Sequence, residues 1–237
     1  MTTPDPAAPA AGGDRLPVAV LWDMDGTLVD TEPYWMDTEH ELAARTGATW
    51  TAEQALELVG TALIHSGRIL KEALGLPESP EEVVCLLLDG VVAKVEAAVP
   101  WQPGAREILT ALKDAGVPMA LVTMSYQRFV DPILADLPEG TFDVVVTGDA
   151  VTRGKPDPEP YLVAARMLGV DPADCVAVED SVPGCTSAQA AGCAVLAVPA
   201  HVEVPPHPDR LLRESLVGLV PADLGALPDQ LRDRRTA

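Results

Sequence analysis

Five short apolar runs, at residues 18–22, 118–123, 142–147, 175–179 and 194–199, divide this chain, and stretches with helical spacing lie between most of them. No other feature constrains the fold as strongly. Strands that alternate with helices build βαβ units, hence a parallel sheet with helices on both faces. Within the runs the apolar residues are continuous, as in VAVLW at 18–22, rather than alternating with polar ones. Strands buried on both sides have that character. The expected class is α/β with a Rossmann-like parallel sheet core, and helices are expected at 104–115, 158–168 and 183–191.

One interval breaks the rhythm. Residues 33–99 hold no good strand, only helical patterns at 33–46, 52–59, 65–74 and 79–99. In the last of these Val83, Val84, Leu87, Leu88, Val91, Val92 and Val95 recur at helix spacing, and Ser79 followed by Glu81 and Glu82 suits a capped start. A helical block between the first strand and the rest of the sheet reads as an inserted α-helical cap domain. The expected division is a disordered lead at 1–15, a core at 16–32 and 100–230, and a cap at 33–99, with PWQPG at 100–104 as the return hinge. After Pro199 come a loop rich in Pro and His, a short apolar run at 216–220, a last polar helix and a frayed end, LRDRRTA.

At 237 residues the chain can bury a sizeable core. Its formal charge of −20 argues against a nucleic-acid partner, which needs clustered Lys and Arg. No run approaches the roughly 18 apolar residues of a membrane span. The N-terminus lacks the basic and apolar regions of a signal peptide. Cys85, Cys175, Cys185 and Cys193 form no CxxC pair and read as inert, reduced thiols. A cytoplasmic protein is expected.

Ligands of open α/β sheets bind outside the carboxyl ends of the strands. There the sequence sets Asp23 and Asp25 after the first run, Thr123 and Ser125 after the second, Gly154-Lys155-Pro156 after the third, and Glu179, Asp180 and Ser181 after the fourth. Carboxylates gathered on one rim repel one another, and a hard divalent cation relieves that repulsion. A lysine and hydroxyls beside it supply donors for phosphoryl oxygens. Gly26 allows a tight turn that aims amide N–H groups at such an anion.

Taken together, DMDGT (23–27), LVTMS (121–125), GKPDP (154–158) and VEDS (178–181) resemble the four motifs of the haloacid dehalogenase superfamily of phosphohydrolases. The helices between the first two motifs resemble the cap of its β-phosphoglucomutase and phosphoglycolate phosphatase branch. The resemblance implies a Mg²⁺-dependent phosphatase of a small phosphorylated metabolite, such as a sugar phosphate or phosphoglycolate. Asp23 would be the nucleophile, forming an aspartyl-phosphate, and Asp25 the general acid and base. Mg²⁺ would be held by Asp23, the Asp25 carbonyl and Asp180, with Glu179 as ligand or holder of metal-bound water. Gly26, Thr27, Thr123, Met124, Ser125 and Lys155 would receive the phosphate, Lys155 also neutralising charge on the nucleophile. No nucleic acid or membrane partner is implied, and a monomer or weak dimer is expected.

Two relatives of this chemistry compete. Dehalogenases of the superfamily lack the second acid of the first motif, which this chain keeps as Asp25. Sugar phosphomutases of the same branch have a cap-entry histidine where this chain has Trp35, so the phosphomutase is the alternative and the hydrolase the preferred reading. Three cap features could touch substrate: residues 31–35, Thr61 to Arg68, and Lys94. His40, His65, His201 and His207 show no metal-ligand spacing.

Overall fold

The computed structural model describes residues 15–58, 61 and 63–236 of the chain. All five apolar runs become strands: β1 (Ala19–Trp22), β2 (Met119–Val122), β3 (Val144–Val146), β4 (Cys175–Glu179) and β5 (Ala194–Ala197). A sixth, β6 (Arg210–Leu212), joins at the edge to give the order β3-β2-β1-β4-β5-β6. Every pairing is parallel. β6 carries no sequence signal because it is a three-residue edge strand that begins with an arginine. The Arg210 guanidinium reaches back to the Pro205 carbonyl, from Nε at 3.0 Å and Nη2 at 2.8 Å.

Successive residues of each strand enter opposite layers, as the pleat requires. Val20, Trp22, Met119, Leu121, Val176 and Val178 pack on one side. There they meet α5 (Ala105–Asp114), α6 (Gln127–Ala135) and α9 (Pro221–Thr236). Ala19, Leu21, Ala120, Val122, Ala177 and Val195 face the other side, against α7 (Glu159–Leu168) and α8 (Val182–Ala191). The helix α6 is an addition to the sequence reading. Pro132 in its interior breaks the helical signal, while Phe129, Val130 and Ile133 are buried on the sheet side. The apolar run at 216–220 forms no strand; Leu216 and Leu219 are buried in a turn before α9.

Four helices follow β1 before the chain returns to the sheet: α1 (Glu32–Thr46), α2 (Ala52–Leu56), α3 (Leu63–Leu74) and α4 (Pro80–Ala97). Capping boxes start two of them, Thr51 with Gln54 and Ser79 with Glu82, satisfying amides that the helix itself cannot. They share a core of their own, including Leu42, Trp50, Leu70, Leu74, Val83 and Leu87. The opposite flank of α4, with Val84, Leu88, Val91 and Val95, packs into the cluster that contains Phe129 of α6.

The two connections between this block and the sheet run side by side. Asp30 N–H donates to Pro100 O and Gln102 N–H to Leu28 O, each at 2.8 Å. The expected lead at 1–15 lies outside the described residues except for Arg15, as do Val59 at the end of the second cap pattern and Ala237 of the expected frayed end; α9 runs to Thr236. All four cysteines are free, and three of them are buried. Burial pushes the Cys175 and Cys185 thiols up to about 12, which keeps them unreactive. Among the described residues no helix is long and apolar enough to cross a membrane.

Candidate active site

The sheet order reverses between β1 and β4, which are neighbours although residues 23–174 separate them in the chain. Their carboxyl ends therefore bring Asp23 and Asp25 against Glu179 and Asp180. The Asp23 amide still pairs with Val178 O at 3.0 Å, so the side chain leaves the sheet at a fixed point. Met24 turns back into the core, fully buried, which puts both aspartates on the other side of the chain. Gly26 then makes the bend at φ +84°, its carbonyl accepting from Gln102 Nε2 at 3.0 Å. A Cβ on Gly26 would stand 2.1 Å from Asp180 Oδ2, so only glycine lets the two loops meet.

The two aspartates have different surroundings. Asp23 is 7% exposed; its Oδ1 accepts from Lys155 Nζ at 2.7 Å, while its buried Oδ2 has no partner. Asp25 accepts from three hydroxyls: Thr31 at 2.7 Å, Ser125 at 2.7 Å and Thr123 at 3.3 Å. Those bonds favour the carboxylate, yet burial and then the Asp23 charge outweigh them and raise its pKa. A carboxyl that holds its proton above the ordinary range can donate it to a leaving group.

Lys155 spends all three of its donors. Besides Asp23 it bonds Glu179 Oε1 at 2.6 Å and Val122 O at 2.9 Å, beneath the Tyr161 ring at 5.2 Å. Burial would strip its proton, but the Asp23 and Glu179 carboxylates reverse that and hold it as an ammonium well above the usual lysine range. Glu179 is fully buried and also accepts from Tyr161 Oη at 2.5 Å and Ser181 Oγ at 3.3 Å. Ser181 in turn caps α8, taking the Gly184 amide at 3.1 Å.

Asp23, Glu179 and Asp180 each offer an oxygen within 4.8 Å of the others. Burial, followed by the charges of Asp23 and Glu179, pushes Asp180 up to about 9. A divalent cation fits this donor set: three hard carboxylate donors brought together, with more negative charge than the Lys155 ammonium offsets.

The other expected residues lie at the same rim with particular partners. Thr123 Oγ1 accepts from the Ser125 amide at 3.0 Å as well as donating to Asp25, so its hydroxyl is engaged within the protein. Met124 lies half-buried with its sulfur 3.2 Å from the Lys155 amide. Thr27 is buried under the bend, its hydroxyl without a partner. Further from the rim, Lys94 pairs with Glu41 at 2.7 Å inside the helical block, Arg68 is exposed on α3, and Thr61 shares a hydrogen with Ser66 at 2.7 Å. Trp35 meets Phe129 edge to face at 5.5 Å, joining α1 to α6. Sequence reasoning missed Tyr161 and Gln102, and left the role of Thr31 open. Nothing local marks the first two, because each bonds a residue far along the chain.

Comparison with known proteins agrees with this geometry. The model of the haloacid dehalogenase-like hydrolase family matches residues 18–192. The chain is 35% identical over 175 residues to the phosphorylated carbohydrates phosphatase of Thermotoga maritima, covering 73% of this chain and 81% of that protein. It is 34% identical over 188 residues to the bifunctional riboflavin kinase/FMN phosphatase of Arabidopsis thaliana, covering 78% of this chain but only 49% of that longer protein. Among solved structures, CbbY from Rhodobacter sphaeroides in complex with phosphate superposes with a TM-score of 0.76 at 28% identity, over 88% of this chain and 99% of that one.

Proposed function

Since the chain belongs to the haloacid dehalogenase-like hydrolases, we propose that it hydrolyses phosphomonoesters of small metabolites, sugar phosphates foremost, in the cytoplasm and with Mg²⁺. One observation carries the reading: Asp23 holds one oxygen on a lysine while the other is buried and without a partner. A carboxylate so placed is an oriented nucleophile, with its spare lone pairs directed away from the lysine.

In this reading the free carboxylate of Asp23 attacks phosphorus in line and forms an aspartyl-phosphate. Asp25, steadied by Thr31, Ser125 and Thr123, gives its proton to the departing oxygen and later takes one from the hydrolytic water. Lys155 balances charge on Asp23 throughout. The Thr27 and Met124 amides receive phosphate oxygens, with Gly26 giving the backbone its approach, while the Gly26, Thr123 and Ser125 amides stay on Val29 O, Val146 O and Thr123 Oγ1. Asp23, Asp180 and the Asp25 carbonyl would hold Mg²⁺, which supplies charge neutralisation at the phosphoryl group. Glu179 suits the role of holder rather than ligand, because Lys155, Tyr161 and Ser181 already occupy it. Helices α1–α4 act as the cap that sheds water from the reaction.

The mutase alternative is disfavoured by Trp35. Its ring is committed to the seam with Phe129, and an indole offers no acceptor for a sugar hydroxyl proton. The test is phosphate release from a panel of phosphorylated metabolites by the purified protein, with Mg²⁺ and with a chelator. Metal-dependent release from at least one sugar phosphate is expected. Accumulation of glucose 6-phosphate from β-glucose 1-phosphate and trace bisphosphate, without free phosphate, would overturn the hydrolase.

A further inference from the structure

The late loop at 199–209 has no part in the chemistry above, yet it reaches the hinge of the helical block. His201 Nε2 lies 2.7 Å from Asp30 Oδ1, across 171 residues of sequence. The loop that carries it is pinned at both ends. Val198 N–H donates to Glu179 O at 2.7 Å, and the buried Arg210 guanidinium grips Pro205 O. A loop so held presents the exposed imidazole from a fixed base rather than from a free loop tip.

What it grips is the point where both connections meet. The Asp30 amide bonds Pro100 O at 2.8 Å, and Val29 bridges Trp101. The next residue, Thr31, is buried and donates its hydroxyl to Asp25 at 2.7 Å. We propose that His201 is a positioning residue: it holds Asp30 and, through the hinge, keeps the Thr31 hydroxyl on Asp25. This rests on the hydrolase reading, in which Asp25 moves the protons. A side chain 33% exposed at one partner and 40% at the other would ordinarily be a surface ion pair of little weight. Here the pair closes a chain of contacts that ends on the proton-transferring carboxyl, so its loss is felt as misplacement rather than as lost charge.

The test uses His201→Ala, His201→Gln, Asp30→Ala and the double variant His201→Ala with Asp30→Ala, with Glu203→Ala, an exposed residue of the same loop, as the control. Two readouts are taken: steady-state hydrolysis of p-nitrophenyl phosphate, and hydrogen exchange of backbone amides. His201→Ala is expected to lower kcat about 10-fold with KM within about 2-fold, the size of effect that coupled hydrogen-bonded neighbours show. His201→Gln, which keeps a donor, recovers most of it, and the double variant is no worse than either single one. Exchange at the Asp30 and Gln102 amides quickens in His201→Ala while α5 is unchanged, and the control matches the parent in both readouts. Multiplying losses in the double variant, or unaltered exchange with unaltered kcat in His201→Ala, would overturn the proposal. If the parent protein releases no phosphate from any ester, the hydrolase reading falls and the exchange result alone decides the hinge.

Discussion

The Lys155 ammonium donates to Asp23 Oδ1 at 2.7 Å, from a loop 132 residues further along the chain. The same nitrogen holds Glu179, so one cation serves two buried carboxylates. Lys155→Met should therefore fail in two ways. Leaving those carboxylates uncompensated is expected to cost about 3–5 kcal/mol in urea denaturation. Turnover should fall by about 100-fold or more, because charge on the nucleophile and the transferring group is no longer balanced. A variant as stable as the parent would show that the pair carries no net charge in the native state.

Asp23→Asn keeps shape and a lysine acceptor but removes the nucleophilic oxygen. Phosphate release should drop by about 1,000-fold or more, with a circular dichroism spectrum and melting temperature close to the parent's. Full turnover on a generic phosphomonoester would refute the assignment of Asp23.

Gly26→Ala tests the junction of the two acidic loops. Its methyl would enter at 2.1 Å from Asp180 Oδ2 on backbone at φ +84°. Asp180 must move, so the Mg²⁺ concentration for half-maximal activity should rise by about 10- to 100-fold, the scale on which displaced supporting groups weaken metal sites. An unchanged Mg²⁺ dependence would mean that Asp180 does not hold the ion.

Glu39 predicts a pH-dependent stability far from the reaction. Burial raises its carboxyl to about 7, against a bond from Trp50 Nε1 at 2.8 Å that favours the charged form. The folded value exceeds the unfolded one, so the stability it contributes is complete below the unfolded pKa of 4.5 and is lost as pH rises through about 7. Glu39→Gln keeps an acceptor for Trp50 and abolishes the titration. Relative to the parent, its unfolding free energy should gain on the order of 3 kcal/mol between about pH 5 and about pH 8. A constant difference across that range would rule out a buried, protonated Glu39.

Much of this architecture was legible in the chain before folding was considered. The runs at 18–22, 118–123, 142–147, 175–179 and 194–199 all became parallel strands, since burial on both faces demands continuous apolar sequence. Capping at Ser79 was readable because it is a three-residue relationship, Ser79 with Glu82. By contrast α6 was obscured by Pro132, and β6 was too short and too polar at its start to register.

The same division runs through the site. Asp23, Asp25, Thr123, Glu179 and Asp180 could be gathered on one rim from sequence alone, because residues at the end of a parallel strand must emerge at its carboxyl edge, and Lys155 joins them from the loop after β3. Sequence could not say that Thr123 and Ser125 both turn to Asp25, that Tyr161 steadies Glu179, or that His201 grips Asp30. Local pattern records where a chain must be buried, a property of each segment by itself. Which donor meets which acceptor depends on the strand order, β1 beside β4, and on the packing of helices from distant segments, so only the tertiary structure decides it.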